Sequence, residues 1–190
     1  MHSQNWTTLP PGLPVPTDDG AATHLTGLKL PAIALPATAG GTVDLSAQRG
    51  RSVVFAYPRT GEPGKPLFTP DWDSIPGARG CTPHTCAFRD LHGEFQALGC
   101  ALFGLSTQTT AYQREMTDRL HVPFPVLSDA KLELTRALRL PTFVAAGEVL
   151  IKRLAWVADD GRITKVFYPV FPPDKNAEEV LGWLRTATVR

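Results

Sequence analysis

Ser52-Val53-Val54-Phe55-Ala56-Tyr57 is a compact run of β-branched and aromatic residues, stopped by Pro58. Such a run is apolar toward both faces of the pleat, which suits a central strand rather than an edge. A second buried run, Cys100-Ala101-Leu102-Phe103-Gly104-Leu105, follows. Between them Phe88, Leu91, Phe95 and Leu98 recur at helical spacing, which predicts an amphipathic helix over Pro83–Leu98. Two buried strands with a helix between them already point to an α/β sandwich.

The remaining segments extend the pattern. Leu28–Leu35, a turn at Gly40-Gly41 and Thr42–Leu45 predict a hairpin at the start of the domain. Thr109–Leu120 predicts a second helix with Tyr112, Met116 and Leu120 on one face. Val122–Leu127 reads as extended, and Ser128-Asp129 as the cap of a helix carrying Leu132, Leu134 and Leu138. Leu154–Ala158 and Ile163–Phe167 read as strands joined through Asp159-Asp160-Gly161, a hairpin turn. Asp174 is expected to cap a last helix holding Val180, Leu181 and Leu184. Residues 1–24 are rich in proline and read as an extended, mobile arm; 25–190 read as one domain. The order β-α-β-α-(β)-α-β-β-α predicts a thioredoxin-like fold, α/β, with a central mixed sheet flanked by helices.

Arg59–Gly80 is a long stretch punctuated by Gly61, Pro63, Gly64, Pro66, Pro70, Pro76, Gly77 and Gly80. Loops of this length without structure of their own are usually functional or disordered. Phe68 and Trp72 predict that this one is packed.

A formal net charge of +1 over 190 residues offers no electrostatic case for nucleic acid or for a membrane surface. No apolar run reaches the roughly 18 residues of a membrane-spanning helix. Residues 1–20 lack the basic-then-apolar pattern of a signal peptide, so the cytosol is the expected compartment. Three cysteines are too few for a disulfide scaffold, and the Cys81, His84, Cys86 group lacks a second metal-binding pair at finger-like spacing. No metal and no cofactor is therefore expected.

Redox chemistry of the thiols remains. A cysteine at the first turn of a helix meets unpaired backbone N–H groups and the positive end of the helix dipole, which favour a thiolate. In Gly80-Cys81-Thr82-Pro83-His84-Thr85-Cys86 a second thiol lies five residues away, able to capture an oxidised first one. Cys81 points toward the core at the helix start, whereas Cys86 falls nearly opposite the Phe88 stripe. Ideal geometry puts positions i and i+5 roughly 8–9 Å apart at Cα. That exceeds the roughly 7 Å limit for a disulfide, so bridging requires the segment from Cys81 to Cys86 to unwind. Cys100 reads as a core residue, and His84 as a surface histidine.

Tyr57-Pro58, Gly80-Cys81-Thr82 and Cys86-Ala87-Phe88-Arg89-Asp90 resemble the active-site segment of peroxiredoxins, and of their bacterioferritin-comigratory protein, or peroxiredoxin Q, branch in particular. Gly104–Thr107, Pro125–Asp129, Arg153–Val157 and Asp160-Gly161 follow in that family's order. The resemblance implies a peroxidatic Cys81, a resolving Cys86 and an intramolecular disulfide reopened by a thioredoxin-type reductant. Pro58 would shield the sulfur, and Arg153 would hold the thiolate and polarise a hydrogen peroxide or organic hydroperoxide substrate. It further implies a monomer or weak dimer. One departure is plain: Ala78 stands where the family has a hydroxyl residue, and the Pro58-to-Cys81 interval is long. Thr60 is the candidate for the displaced hydroxyl, ahead of Thr69. Other readings of the same thiols are a peroxide-responsive sensor acting on a partner, a copper-handling protein, and a domain with incidental cysteines.

Overall fold

The computed structural model describes residues 7–187. Its centre is a five-stranded mixed sheet in the order β5-β4-β3-β8-β9. These strands are β3 (Arg51–Ala56), β4 (Cys100–Ser106), β5 (Val126–Ser128), β8 (Leu154–Asp159) and β9 (Arg162–Phe167). β3 lies between a parallel neighbour, β4, and an antiparallel one, β8. Alternate residues of β3 serve two separate cores, which is why the run is apolar throughout. Val53 and Phe55 join Phe88, Phe95, Met116 and Val180 on one side, while Val54 and Ala56 join Leu25, Leu134 and Trp156 on the other.

The first core is roofed by α1 (Cys81–Asp90), α2 (His92–Ala97), α3 (Thr110–Leu120) and α5 (Asn176–Ala187). The helix expected over Pro83–Leu98 is thus two helices, and α1 begins two residues earlier. Leu91, at φ −100° and ψ 6°, marks the break, just ahead of Gly93, a residue with little helical preference. Its carbonyl still accepts from both Glu94 and Phe95, so Phe88 and Phe95 stay on the core side with ring centroids 5.5 Å apart.

The opposite core is closed by α4 (Glu133–Leu138) and by the first hairpin, β1 (Ala34–Pro36) with β2 (Thr42–Asp44). Leu132 does not belong to α4: it precedes it at φ 59°. Asp129 nevertheless caps α4, accepting from the backbone of Leu134 and Thr135. Asp174 does not cap α5. It lies in a 3-10 turn, Pro173–Lys175, running directly into that helix. Only the end of Val122–Leu127 pairs in the sheet, as β5. The turn between β8 and β9 is Asp160-Gly161, both at positive φ, as a two-residue hairpin of this type demands.

One hairpin has no counterpart in the expected elements: β6 (Thr142–Ala145) with β7 (Glu148–Ile151), turning at Ala146-Gly147. It decides where the long loop goes. Trp72 of the loop packs with Ala145 and Leu150, and Phe68, Ile75 and Phe143 close around them in a third apolar cluster. The loop is packed, with its own small core.

Residues 1–6 and 188–190 lie outside the described residues. The rest of the arm, expected to be mobile, is held against the body. Asp19 accepts from Lys152 and Tyr168, and Ala22 is buried. A short proline-rich segment cannot form a core of its own, but it can dock on one. No helix among the described residues is long and apolar enough to cross a membrane.

Candidate active site

Cys81 is the first residue of α1 and is only 3% exposed. The chain enters through Gly80 at φ 102°, where any β-carbon would meet Leu9 and Pro173 at 2.6 Å. Glycine there serves both the left-handed turn and the close packing. The turn sets the Cys81 sulfur beside Arg153, which comes from the link between β7 and β8.

Arg153 is itself 3% exposed, and its contacts organise the site. Nη2 donates to Cys81 Sγ at 3.2 Å and also reaches the carbonyl oxygens of Gly77, Ala78 and Arg79, each at 3.2 Å. Nη1 donates to His84 Nδ1 at 3.0 Å. Among the described residues no carboxylate pairs with this guanidinium. A buried cation with only neutral partners is costly, and an anion beside it relieves that cost. Among the described residues, the side-chain atoms this guanidinium is bonded to are the Cys81 sulfur and the His84 ring nitrogen.

His84 is not at the surface. It is fully buried, edge-on to the rings of Phe55 and Phe88. Because Nδ1 accepts from Arg153, the ring proton belongs on Nε2, which donates to Asn176 Oδ1 at 2.9 Å. An Asn176–His84–Arg153 chain therefore fixes the guanidinium from behind. Burial first, and then the Arg153 charge, hold the His84 pKa well below its ordinary value, against the opposing pull of Asn176. The unfolded chain accepts a proton near pH 6.5 that the folded one refuses. Stability is accordingly full above that pH and falls as pH drops, by at most about 1.4 kcal/mol per unit from this group. Thermal melts between pH 7 and 5 should show the decline. His84→Gln should flatten it; an unchanged slope in that variant would exclude His84 as the cause.

Thr60 and Cys81 line the same small mouth, whose rim includes Arg59, Gly61, Trp72 and Gly80. Gln108 clamps Thr60. Its Oε1 accepts from the Thr60 backbone N–H at 3.0 Å and from the hydroxyl at 3.2 Å, and its Nε2 donates to the Thr60 carbonyl at 3.3 Å. The hydroxyl proton is directed at Gln108, which leaves the oxygen free to accept. Thr69 is not among the residues lining it. Pro58 is buried at the end of β3. Arg79 is paired with Asp73, which ties the segment before Cys81 to the long loop.

Cys86 is half-buried rather than fully turned to solvent, in a shallow groove with Pro83, Asp90, Asp174 and Glu178. Burial pushes its thiol pKa up, offset in part by Arg89. Both cysteines are reduced and belong to the same intact helix. Cys100 is 4% exposed in the core, and its pKa is also raised by burial.

A family model described as Redoxin matches residues 25–181. The chain belongs to the redoxin family, in its Bcp/peroxiredoxin Q-like branch. This redoxin is 32% identical over 141 residues to peroxiredoxin bcp1 of Schizosaccharomyces pombe, covering 70% of this chain and 64% of that one. It is 28% identical over 157 residues to peroxiredoxin Bcp of Bacillus subtilis, covering 80% and 90%. The crystal structure of peroxidoxin BcpB from Mycobacterium tuberculosis superposes with a TM-score of 0.67 at 28% identity, covering 85% of this chain and 96% of that one. The chain spans between 60% and 64% of the length of the first curated relatives it matches. Its fold is thioredoxin-like, as the order of elements implied. His84, Asn176 and Gln108 were not legible as site residues. His84 lies in the cysteine segment, but nothing in the sequence says that it meets Arg153.

Proposed function

We propose that this redoxin is a thiol-dependent peroxidase in which Cys81 is the attacking thiol. The observation that carries the reading is the buried Arg153 guanidinium, 3.2 Å from the Cys81 sulfur and without a carboxylate partner among the described residues. The Cys81 thiolate attacks the terminal oxygen of a hydroperoxide, ROOH. The S–O bond forms as O–O breaks, Cys81 becomes a sulfenic acid, and RO⁻ leaves and takes a proton from solvent to become ROH. Arg153 stabilises the anionic sulfur and then the departing oxygen, a charge-assisted role suited to its fork of donors. Thr60 accepts the peroxide O–H; Pro58, expected to shield the sulfur, is buried but does not line the mouth.

Cys86 then condenses with the sulfenic acid, releasing water and forming a Cys81–Cys86 disulfide. A dithiol reductant of the thioredoxin type, acting in the cytosol on a monomer or weak dimer, restores both thiols. This step needs the first turns of α1 to open. What opposes opening is visible: His84 N–H donates to Gly80, the Thr85 hydroxyl to the Cys81 carbonyl, and the His84 ring is bonded on both sides. Each such bond contributes on the order of 1 kcal/mol, so the opening is affordable only locally.

The test is stoichiometric hydrogen peroxide added to reduced protein, with the rate recorded, followed by thiol blocking and peptide mass spectrometry. Fast consumption with a Cys81–Cys86 linkage supports the reading. Slow reaction with the same linkage favours a sensor instead. A linkage through Cys100 would mean that Cys86 is not the resolving thiol. Cys86→Ser should preserve the first, stoichiometric oxidation while stopping thioredoxin-driven turnover. Full turnover in that variant would remove Cys86 from the cycle.

A further inference from the structure

The mouth over Cys81 has a volume of about 10 Å³, room for about one water-sized group such as a terminal –OH and little else. The rest of any larger hydroperoxide must lie outside it. Directly adjoining is a second compartment of about 360 Å³, which shares Arg59, Thr60, Gly61 and Trp72 with the mouth. That volume is within the range of small-molecule sites. Except for Tyr112 of α3, every residue lining it comes from the long loop between Pro58 and Cys81. The loop therefore builds a chamber against the thiol mouth.

Its walls are specific in shape. The Arg59 guanidinium lies 4.2 Å from the centroid of Phe68 and 4.8 Å from that of Tyr112, and is held there by Glu148 of β7. Phe68 in turn meets Trp72 edge-to-face at 5.6 Å. The chamber is walled by rings stacked around a paired cation. Leu67 adds an aliphatic wall, and Glu62 and Lys65 contribute one charge of each sign, which gives no net preference for an ionic tail. Flat π-faced groups gain most against such walls.

We propose that this chamber is a tail subsite that makes the redoxin selective for hydroperoxides carrying an aromatic group. The proposal rests on the peroxidase reading of Cys81 and adds the substrate class. The reaction is unchanged: the terminal oxygen enters the mouth, the aryl tail occupies the chamber, and the aryl alcohol leaves after O–O cleavage. Phe68 and Leu67 act as specificity residues and touch none of the reacting atoms.

The experiment uses the full chain, with dithiothreitol as reductant, and compares hydrogen peroxide, tert-butyl hydroperoxide and cumene hydroperoxide. The KM for cumene hydroperoxide should be about tenfold below that for tert-butyl hydroperoxide, the scale expected of an aromatic contact plus apolar burial. Phe68→Ala and, separately, Leu67→Ala should raise the cumene hydroperoxide KM about fivefold while leaving kcat/KM for hydrogen peroxide within about twofold. The released alcohol, 2-phenyl-2-propanol, should inhibit competitively in the wild type and more weakly in Phe68→Ala. Equal KM values for the two organic substrates would overturn the inference, as would equal losses on all three peroxides in both variants. Failure of the wild type to consume even hydrogen peroxide would overturn the peroxidase reading itself. Activity on hydrogen peroxide without aryl preference would overturn only the subsite.

Discussion

Replacing Cys81 with serine should abolish peroxide consumption, with a loss of at least about 10³-fold, because a neutral hydroxyl is a far poorer nucleophile than a thiolate. The fold should survive. Serine is nearly isosteric, and its oxygen can accept from Arg153 Nη2 in place of the sulfur. Cys81 opens α1, where its backbone N–H has no intrahelical partner to lose. The melting temperature of Cys81→Ser should therefore stay close to that of the wild type, so that lost activity reports chemistry and not unfolding. Dithiothreitol-driven peroxide consumption and a thermal melt on the same sample check both halves. Retained turnover would show that Cys86 or Cys100 is the attacking thiol. Both sit where burial raises the thiol pKa, which makes either a poorer candidate at neutral pH.

Substituting Arg153 should produce the second-largest effect, and two variants separate its parts. Arg153→Lys keeps a positive charge but not the planar fork. One ammonium cannot reach Cys81, the Gly77–Arg79 carbonyls and His84 from the positions that the two Nη atoms occupy. Loss of about 10²-fold in the rate of Cys81 oxidation is expected, the scale seen when one donor to a developing charge is removed. Arg153→Met removes the charge as well and should oxidise more slowly still. It should also melt lower. Its loss leaves buried carbonyls and His84 Nδ1 without a donor, at a cost of about 1–3 kcal/mol for each group that finds no other partner. Stopped-flow oxidation and thermal melts measure the two consequences separately. A Lys variant as fast as the wild type would show that charge alone suffices and that the geometry around Cys81 is incidental.

The parts of the fold that could be read in advance are those governed by local periodicity. β3 announced itself because every side chain after Arg51 is buried on one face or the other. α3 showed its stripe in Met116 and Leu120, which enter the core, whereas Tyr112 stacks on Arg59, and the β8–β9 turn showed its Asp-Gly pair. The break at Leu91 was hidden because the stripe of Phe88, Leu91, Phe95 and Leu98 stays in phase across it: the core demands continuity of the face and tolerates a break in the backbone. The β6–β7 hairpin was missed because its strands are short and turn at Ala146-Gly147, where alanine at φ 48° is not a usual turn residue.

The expectation of a surface His84 rests on its polar ring and its place in the first turn of a helix. Its phase points the other way: His84 lies four residues before Phe88, on the same face of α1, and its ring is seated against Phe55 and Phe88. What nothing local signals is the partner for each ring nitrogen, Arg153 on one side and Asn176 on the other. The arm gives the same lesson in reverse: its composition offers no core, but Asp19 finds Lys152 and Tyr168, both more than a hundred residues away along the chain.

What the amino-acid order by itself determined was the α/β class, the central strand leading to Pro58, and a thiol at a helix start with another five residues on. Those depend on side-chain alternation, helical phase and turn chemistry, all of which act over a few residues. Only the tertiary structure decided that a buried Arg153 reaches the Cys81 sulfur, that Asn176 and His84 hold that arginine from behind, and that the long loop stacks into a chamber beside the mouth. Each of these brings together residues far apart in the chain, and such contacts form only where the packing of the whole sheet puts them.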